Sequence, residues 1–139
     1  MYYRLTINSK ESPYFPNNKP EKFSYIIPFP LNAIDTINNI YSITLNRVSF
    51  VAESKYNDKD VYVYLDAIGN SSSAYSNNTF KLLQIFRAKQ SGLAEMVGAT
   101  CYINKYPFHQ ITFELKDSEN LPIKFKNNVE LVISINKIS

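Results

Sequence analysis

The run FHQITFELKDSENLPIKFKNNVELVISINKI, Phe108 to Ile138, decides the fold. Within it Ile111, Phe113 and Leu115 alternate with polar residues, as do Leu121, Ile123 and Phe125, and then Val129, Leu131, Ile133 and Ile135. A period of two is that of a strand with one buried face. The breaks fall at Asp117-Ser118-Glu119-Asn120 and at Asn127-Asn128, residues that favour turns. The local reading is strand, turn, strand, turn, strand. A two-residue turn at Asn127-Asn128 would set Phe125 opposite Glu130 and split the apolar sets between faces. A three-residue loop, Lys126 to Asn128, removes that conflict: Phe125 then faces Val129, Ile123 faces Leu131, Leu121 faces Ile133, and Lys124 faces Glu130. Asn128 takes the left-handed position such a loop requires.

Working outward, the chain has 139 residues, 45% of them hydrophobic, which suits one domain, 1–139, that buries about two-thirds of its unfolded surface. No apolar run is long enough to cross a bilayer, so no membrane partner is expected. The N-terminus, Met1-Tyr2-Tyr3-Arg4-Leu5-Thr6, passes straight into strand-like alternation and lacks the apolar core of a signal peptide, so synthesis without secretion is expected. Fifteen basic residues against twelve acidic ones leave a formal charge of +3, and they are scattered, which argues against a specific nucleic-acid partner. One cysteine, Cys101, allows no intramolecular disulfide and no cysteine-based zinc site. Asn is abundant, with sixteen residues, and Tyr numbers eleven, against three Gly and no Trp.

Earlier in the chain Tyr3, Leu5 and Ile7 mark a first strand, and Ser9 to Pro20 is a loop whose Pro13, Pro16 and Pro20 pin Tyr14-Phe15 against the body. Lys22 to Phe29 follows as a strand, ended by Pro28 and Pro30, with Phe23, Tyr25 and Ile27 on one face. Leu31 to Asn39 is either a helical turn or an open loop. Tyr41, Ile43 and Leu45 point inward, but Val48 and Phe50 have the opposite parity, which requires a bulge or bend near Asn46-Arg47. Ser54 to Asp60 is a turn. Val61, Val63 and Leu65 form the next strand, with Tyr62 and Tyr64 on its other face. Gly69 to Asn78 is an exposed polar loop carrying Tyr75. Thr79 to Ala88 is a strand whose Leu82-Leu83 and Ile85-Phe86 pairs suit burial on both faces, Lys89 to Val97 is ambiguous, and Ala99 to Ile103 is a short strand. Eight or nine short strands with little or no helix predict an all-β fold, an antiparallel β-sandwich, with a closed barrel or a C2-like sandwich as alternatives.

No catalytic constellation accompanies this pattern, and the chain is read as a non-enzyme with no cofactor and no metal. His109 has no second His or Cys to share a metal, and Cys101 reads as a small buried hydrophobe. Asn57-Asp58-Lys59-Asp60, with Glu53 and Asp66 nearby, lacks EF-hand spacing and contains a lysine, so a solvated turn is favoured over a calcium loop. The tyrosines carry the remaining signal, because Tyr joins a large apolar body to a hydrogen-bonding tip. Tyr14, Phe15, Tyr62, Tyr64 and Tyr75 are the candidate surface residues.

Tyr3-x-Leu5-x-Ile7-x-Ser9, Tyr14-Phe15-Pro16-Asn17-Asn18, Phe23-Ser24-Tyr25-Ile26-Ile27-Pro28 and Tyr41 to Phe50 together resemble single jelly-roll minor capsid (penton-like) proteins of virophages, Maverick/Polinton elements and adenovirus-type DNA viruses. Ile111 to Asp117, Pro122 to Phe125 and Val129 to Ile135 resemble the closing strands of that family. The likeness covers both ends of the chain and skips about Ser54 to Lys105. Two positions depart from the pattern: a late-turn glycine is replaced by Glu119 or Asn120, and the Trp of the third strand by Tyr41. The resemblance implies a jelly roll, a homo-oligomer that is a pentamer at the capsid vertex, other capsid proteins as partners, and the virion as location. It also implies that the turns at Asp117 and Asn127 are arches between sheets, against the hairpin reading above. The alternative function is a β-sandwich that binds carbohydrate or a receptor through Tyr62, Tyr64 and Tyr75.

Overall fold

The structure, a computed structural model, describes residues 2–26, 41–69, 81–88, 93–103 and 108–137. Eight strands run in order: β1 Tyr2–Asn8, β2 Lys22–Ile26, β3 Tyr41–Ser49, β4 Asp60–Gly69, β5 Lys81–Arg87, β6 Leu93–Ile103, β7 Phe108–Lys116 and β8 Glu130–Lys137. A single 3-10 turn, Ser54–Tyr56, is the one helical element among the described residues. The strands form two antiparallel sheets, β1-β8-β3-β6 and β2-β7-β4-β5. Every connection except β4 to β5 passes from one sheet to the other. That connectivity is the double-sheet jelly roll.

Alternation explains the core. Ile7, Ile43, Leu45, Val48, Val61, Val63, Ile111, Phe113, Leu115, Leu131, Ile133 and Ile135 are fully buried between the sheets. Phe23 sits opposite Phe113 in the β2-β7 ladder, with ring centroids 5.6 Å apart. The change of parity in β3 is met as expected: its pairing with β8 sets Leu45 opposite Ile133 but Arg47 opposite Val132, leaving Asn46 as the extra residue of a bulge. The bulge lets Leu45 and Val48 both face inward. Asn46 Nδ2 donates to Ser134 Oγ across the bulge, which ties the extra residue to β8.

The hairpin reading of the C-terminal unit fails, and the arch reading replaces it. β7 lies in one sheet, while β8 is inserted between β1 and β3 in the other, so the two cannot be joined by a ladder. Residues 121–125 are not a strand. They cross the end of the sandwich, touching β7 through the Lys116-Pro122 bridge and the segment after β3 through the Ala52-Phe125 bridge. Glu53 N–H donates to the Lys124 carbonyl (3.0 Å) and Lys126 N–H to that of Val51 (2.8 Å). Ile123 is fully buried under this crossing, and the Phe125 ring meets Phe50 edge-on at 5.5 Å. Leu121, expected inside opposite Ile133, is 53% exposed, because the crossing has left the strand geometry that would turn it inward. Glu130, expected opposite Lys124, is paired in register with Asn8 and Ser49.

The left-handed conformation expected at Asn128 is not found there. Among the described residues other than glycine, Asp58 (φ 62°) and Asn120 (φ 65°) have positive φ, the second in the turn after β7. Asn tolerates that conformation better than most residues with a Cβ. Asp117 Oδ1 accepts the N–H groups of Glu119 (2.8 Å) and Leu121 (3.0 Å), so the turn is fixed from within.

Two more strands differ from expectation. β6 begins at Leu93 and absorbs much of the ambiguous stretch. β5 carries a bulge at Leu83, since Val63 pairs with Gln84 and Tyr64 with Leu82. The doubled apolar pairs are therefore split between faces: Leu83 and Phe86 are buried, whereas Leu82 and Ile85 are 49% and 40% exposed. Leu31 to Asn39 and the loop beyond Gly69 lie outside the described residues.

Candidate functional site

Between β1 and β2 the chain forms a strap over the side of the sandwich. Its start is clamped by Ser9, itself buried, which exchanges hydrogen bonds with Val129. Ser12 and Phe15 exchange backbone hydrogen bonds (3.0 and 3.2 Å), and Ser12 Oγ also accepts Phe15 N–H at 3.1 Å. At its far end Lys19 and Lys22 exchange a second pair across Pro20-Glu21, which turns the chain into β2.

Asn18 joins strap to sheet. Its Oδ1 accepts Ser24 N–H at 2.9 Å while its Nδ2 donates to the Ser24 carbonyl at 3.1 Å and to the Lys10 carbonyl at 3.2 Å. The side-chain amide thus pairs with the edge of β2 as a neighbouring strand would, which blunts an edge otherwise open to another chain.

The strap separates two hollows. One, of about 660 Å³, is lined on the strap side by Tyr14, Phe15 and Pro16 and on the sheet side by Lys22, Glu114 and Lys116. The other, about 590 Å³, lies between β1 (Thr6, Asn8) and β2 (Tyr25, Ile26) and shares Tyr14, Phe15, Asn18 and Ser24 with the first. The proline-bearing loop was expected to pin both aromatics. It half-buries Phe15, but Tyr14 stands out between the hollows with 77% of its surface exposed, because the Ser12-Phe15 turn directs it away from the sheet.

Tyr62 and Tyr64 lie side by side on the outer face of the β2-β7-β4-β5 sheet, half-buried. Lys116 is in register with Tyr62, its Nζ lies 5.9 Å from the Tyr64 ring centroid, and it forms an ion pair of 3.4 Å with Glu114. Because Glu114 and Lys116 also line the larger hollow, they connect the tyrosine pair to the Tyr14-Phe15 pair. Tyr75 lies outside the described residues.

Sequence reasoning missed Leu82, Ile85 and Asn18. The doubled apolar pairs signalled the first two, but only the bulge in β5 shows that one member of each pair faces solvent. Nothing local marks Asn18.

Asp58, Asp60, Asp117 and Glu119 line a hollow of about 410 Å³, but Asp60 pairs with Arg87 at 3.6 Å and Asp117 Oδ1 is engaged by its own turn. Among the described residues no group of three His, Cys, Asp or Glu is arranged to hold a metal ion, and no helix is long and apolar enough to cross a membrane.

The class this geometry defines is a jelly-roll β-sandwich with an aromatic strap on one side and an apolar patch on one face. No protein-family model matches the chain, and no curated protein matches it in sequence. Three solved structures show its similarities. A Drosophila NLP core, a structure concerned with pentamer formation and histone binding, is 8% identical with a TM-score of 0.42, over 100% of this chain and 99% of that one. Tomato aspermy virus is 13% identical with a TM-score of 0.34, over 100% and 78%. The VP2 subviral particle of infectious bursal disease virus is 12% identical with a TM-score of 0.31, over 99% of this chain but only 32% of VP2.

Proposed function

We propose that the chain is a structural capsid subunit, a single domain that assembles with copies of itself into a symmetric ring of the penton-like kind. The observation that carries this reading is Tyr14, a large side chain 77% exposed on a strap anchored at both ends, between two hollows on one side of the sandwich. A ring needs a head-to-tail contact in which one side of each subunit meets a different side of the next. In such a contact Tyr14 of one subunit would seat on a different side of the next, and weak contacts of this kind gain strength by repetition.

The resemblance supports the same reading. Its two ends, far apart along the chain, fall on β1, β8 and β3 of one sheet and on β2 and β7 of the other, so they are hydrogen-bonded neighbours. Other capsid proteins would then be partners and the virion the location. Light scattering with negative-stain imaging tests the proposal, since a penton-like ring has a five-chain repeat. The carbohydrate- or receptor-binding alternative draws on the adjacent Tyr62 and Tyr64, and predicts glycan binding by a monomer or trimer that forms no rings.

A further inference from the structure

The outer face of β4 and β5 carries three cross-strand pairs in sequence: Asp60 with Arg87, Tyr62 with Ile85, and Tyr64 with Leu82. Their neighbours Val61, Val63, Leu83 and Phe86 fill the core, so these six side chains share the solvent side. Arg87 and Asp60 are 60% and 41% exposed at the side chain, and Leu82 and Ile85 remain 49% and 40% exposed. Each pair is made of unlike members, acid with base or aromatic with aliphatic. That composition has a symmetry consequence.

We infer that a second copy of this chain docks face to face on the β4-β5 surface about a two-fold axis that runs along the strands between β4 and β5. Such an axis exchanges the two strands. It lays β5 of one copy over β4 of the other, so Asp60 meets the second copy's Arg87, Tyr62 meets Ile85, and Tyr64 meets Leu82, each contact made twice. A contact related by a two-fold axis must be self-complementary, and this surface satisfies the condition in charge as well as in apolar matching. Facing sheets pack about 10 Å apart with strands near 30° from aligned, so contact is tightest near the axis, at Tyr62 and Ile85. The bulge at Leu83 interrupts β5, the last strand of its sheet, which favours docking by the face over pairing by the edge. The inference rests on the self-association in the proposed function and not on the ring: the two-fold contact alone gives two chains, whereas the ring alone gives five.

Charge reversal tests it. Asp60→Arg sets the new guanidinium against Arg87 of the second copy, and Arg87→Asp sets two acids together, so each single variant should show half the wild-type mass by light scattering at a concentration where the wild type is fully paired. Mixing the two variants should restore the full mass, because every contact between unlike copies is then acid to base. Circular dichroism confirms that each variant is folded, and restoration by mixing cannot come from a misfolded chain. Unchanged mass in the single variants, failure of the mixture to restore it, or a wild type without an even-numbered assembly overturns the inference. A wild type of five chains whose mass ignores both reversals would overturn the two-fold contact while leaving the ring standing.

Discussion

Ser9 and Val129, 120 residues apart in sequence, are joined twice: Ser9 N–H donates to the Val129 carbonyl at 2.9 Å, and Val129 N–H donates to Ser9 Oγ at 2.8 Å. The clamp closes the end of the β1-β8 ladder where the strap leaves the sheet. Ser9→Ala removes the acceptor and leaves a buried N–H unpaired, a loss of about 1–3 kcal/mol. Urea denaturation should show a lower midpoint at unchanged slope. A midpoint equal to that of the wild type would remove the clamp from the account.

The crossing between β7 and β8 predicts opposite results for two neighbouring apolar residues. Ile123 is fully buried and Leu121 is 53% exposed. Ile123→Ala should destabilise by about 2–5 kcal/mol. Leu121→Ala should stay within about 0.5 kcal/mol of the wild type. A hairpin with both residues inside would make the two losses comparable, so one pair of denaturation curves separates the arrangements.

Asn18 predicts a local effect readable by hydrogen exchange. Asn18→Ala exposes Ser24 N–H and should speed exchange of that amide. Asn18→Asp keeps the acceptor for Ser24 N–H while losing the Nδ2 donor, so Ser24 should stay protected. Equal acceleration in both variants would mean that the amide does not hold the β2 edge.

How much of this was readable from the chain depends on range. Alternation identified inward residues in β1, β3, β4, β7 and β8, and the parity change at Val48 and Phe50 located the bulge at Asn46, because each is a property of a few consecutive residues. The partner of β8 was not readable in the same way. Asn127-Asn128 carries the turn chemistry of a hairpin whether the chain turns back or crosses to the other sheet, and the choice is made by β1 and β3, which lie far earlier in the chain. Leu82 and Ile85 were misread for a related reason: a bulge at Leu83 shifts parity within β5, and two adjacent apolar residues look the same whether both are buried or one faces solvent. Tyr62 and Tyr64 were found by position opposite an apolar alternation, but Leu82 and Ile85, which complete their patch, come from the pairing with β5.

The strap bears most directly on assembly. Tyr14→Ser, at a side chain 77% exposed, should leave stability within about 0.5 kcal/mol of the wild type and should weaken association. Sedimentation across a dilution series reads the shift toward smaller species. An unchanged distribution would move the lateral contact away from the strap.

The most direct measurement of the central claim, that this chain is a self-assembling structural subunit, is its solution mass by light scattering at two concentrations, with negative-stain images of the same peak. Five-fold rings are expected, with the mass of five chains if the ring forms without the two-fold contact and an even multiple of it if that contact joins rings. A single-chain mass at both concentrations, with no rings in the images, would contradict it.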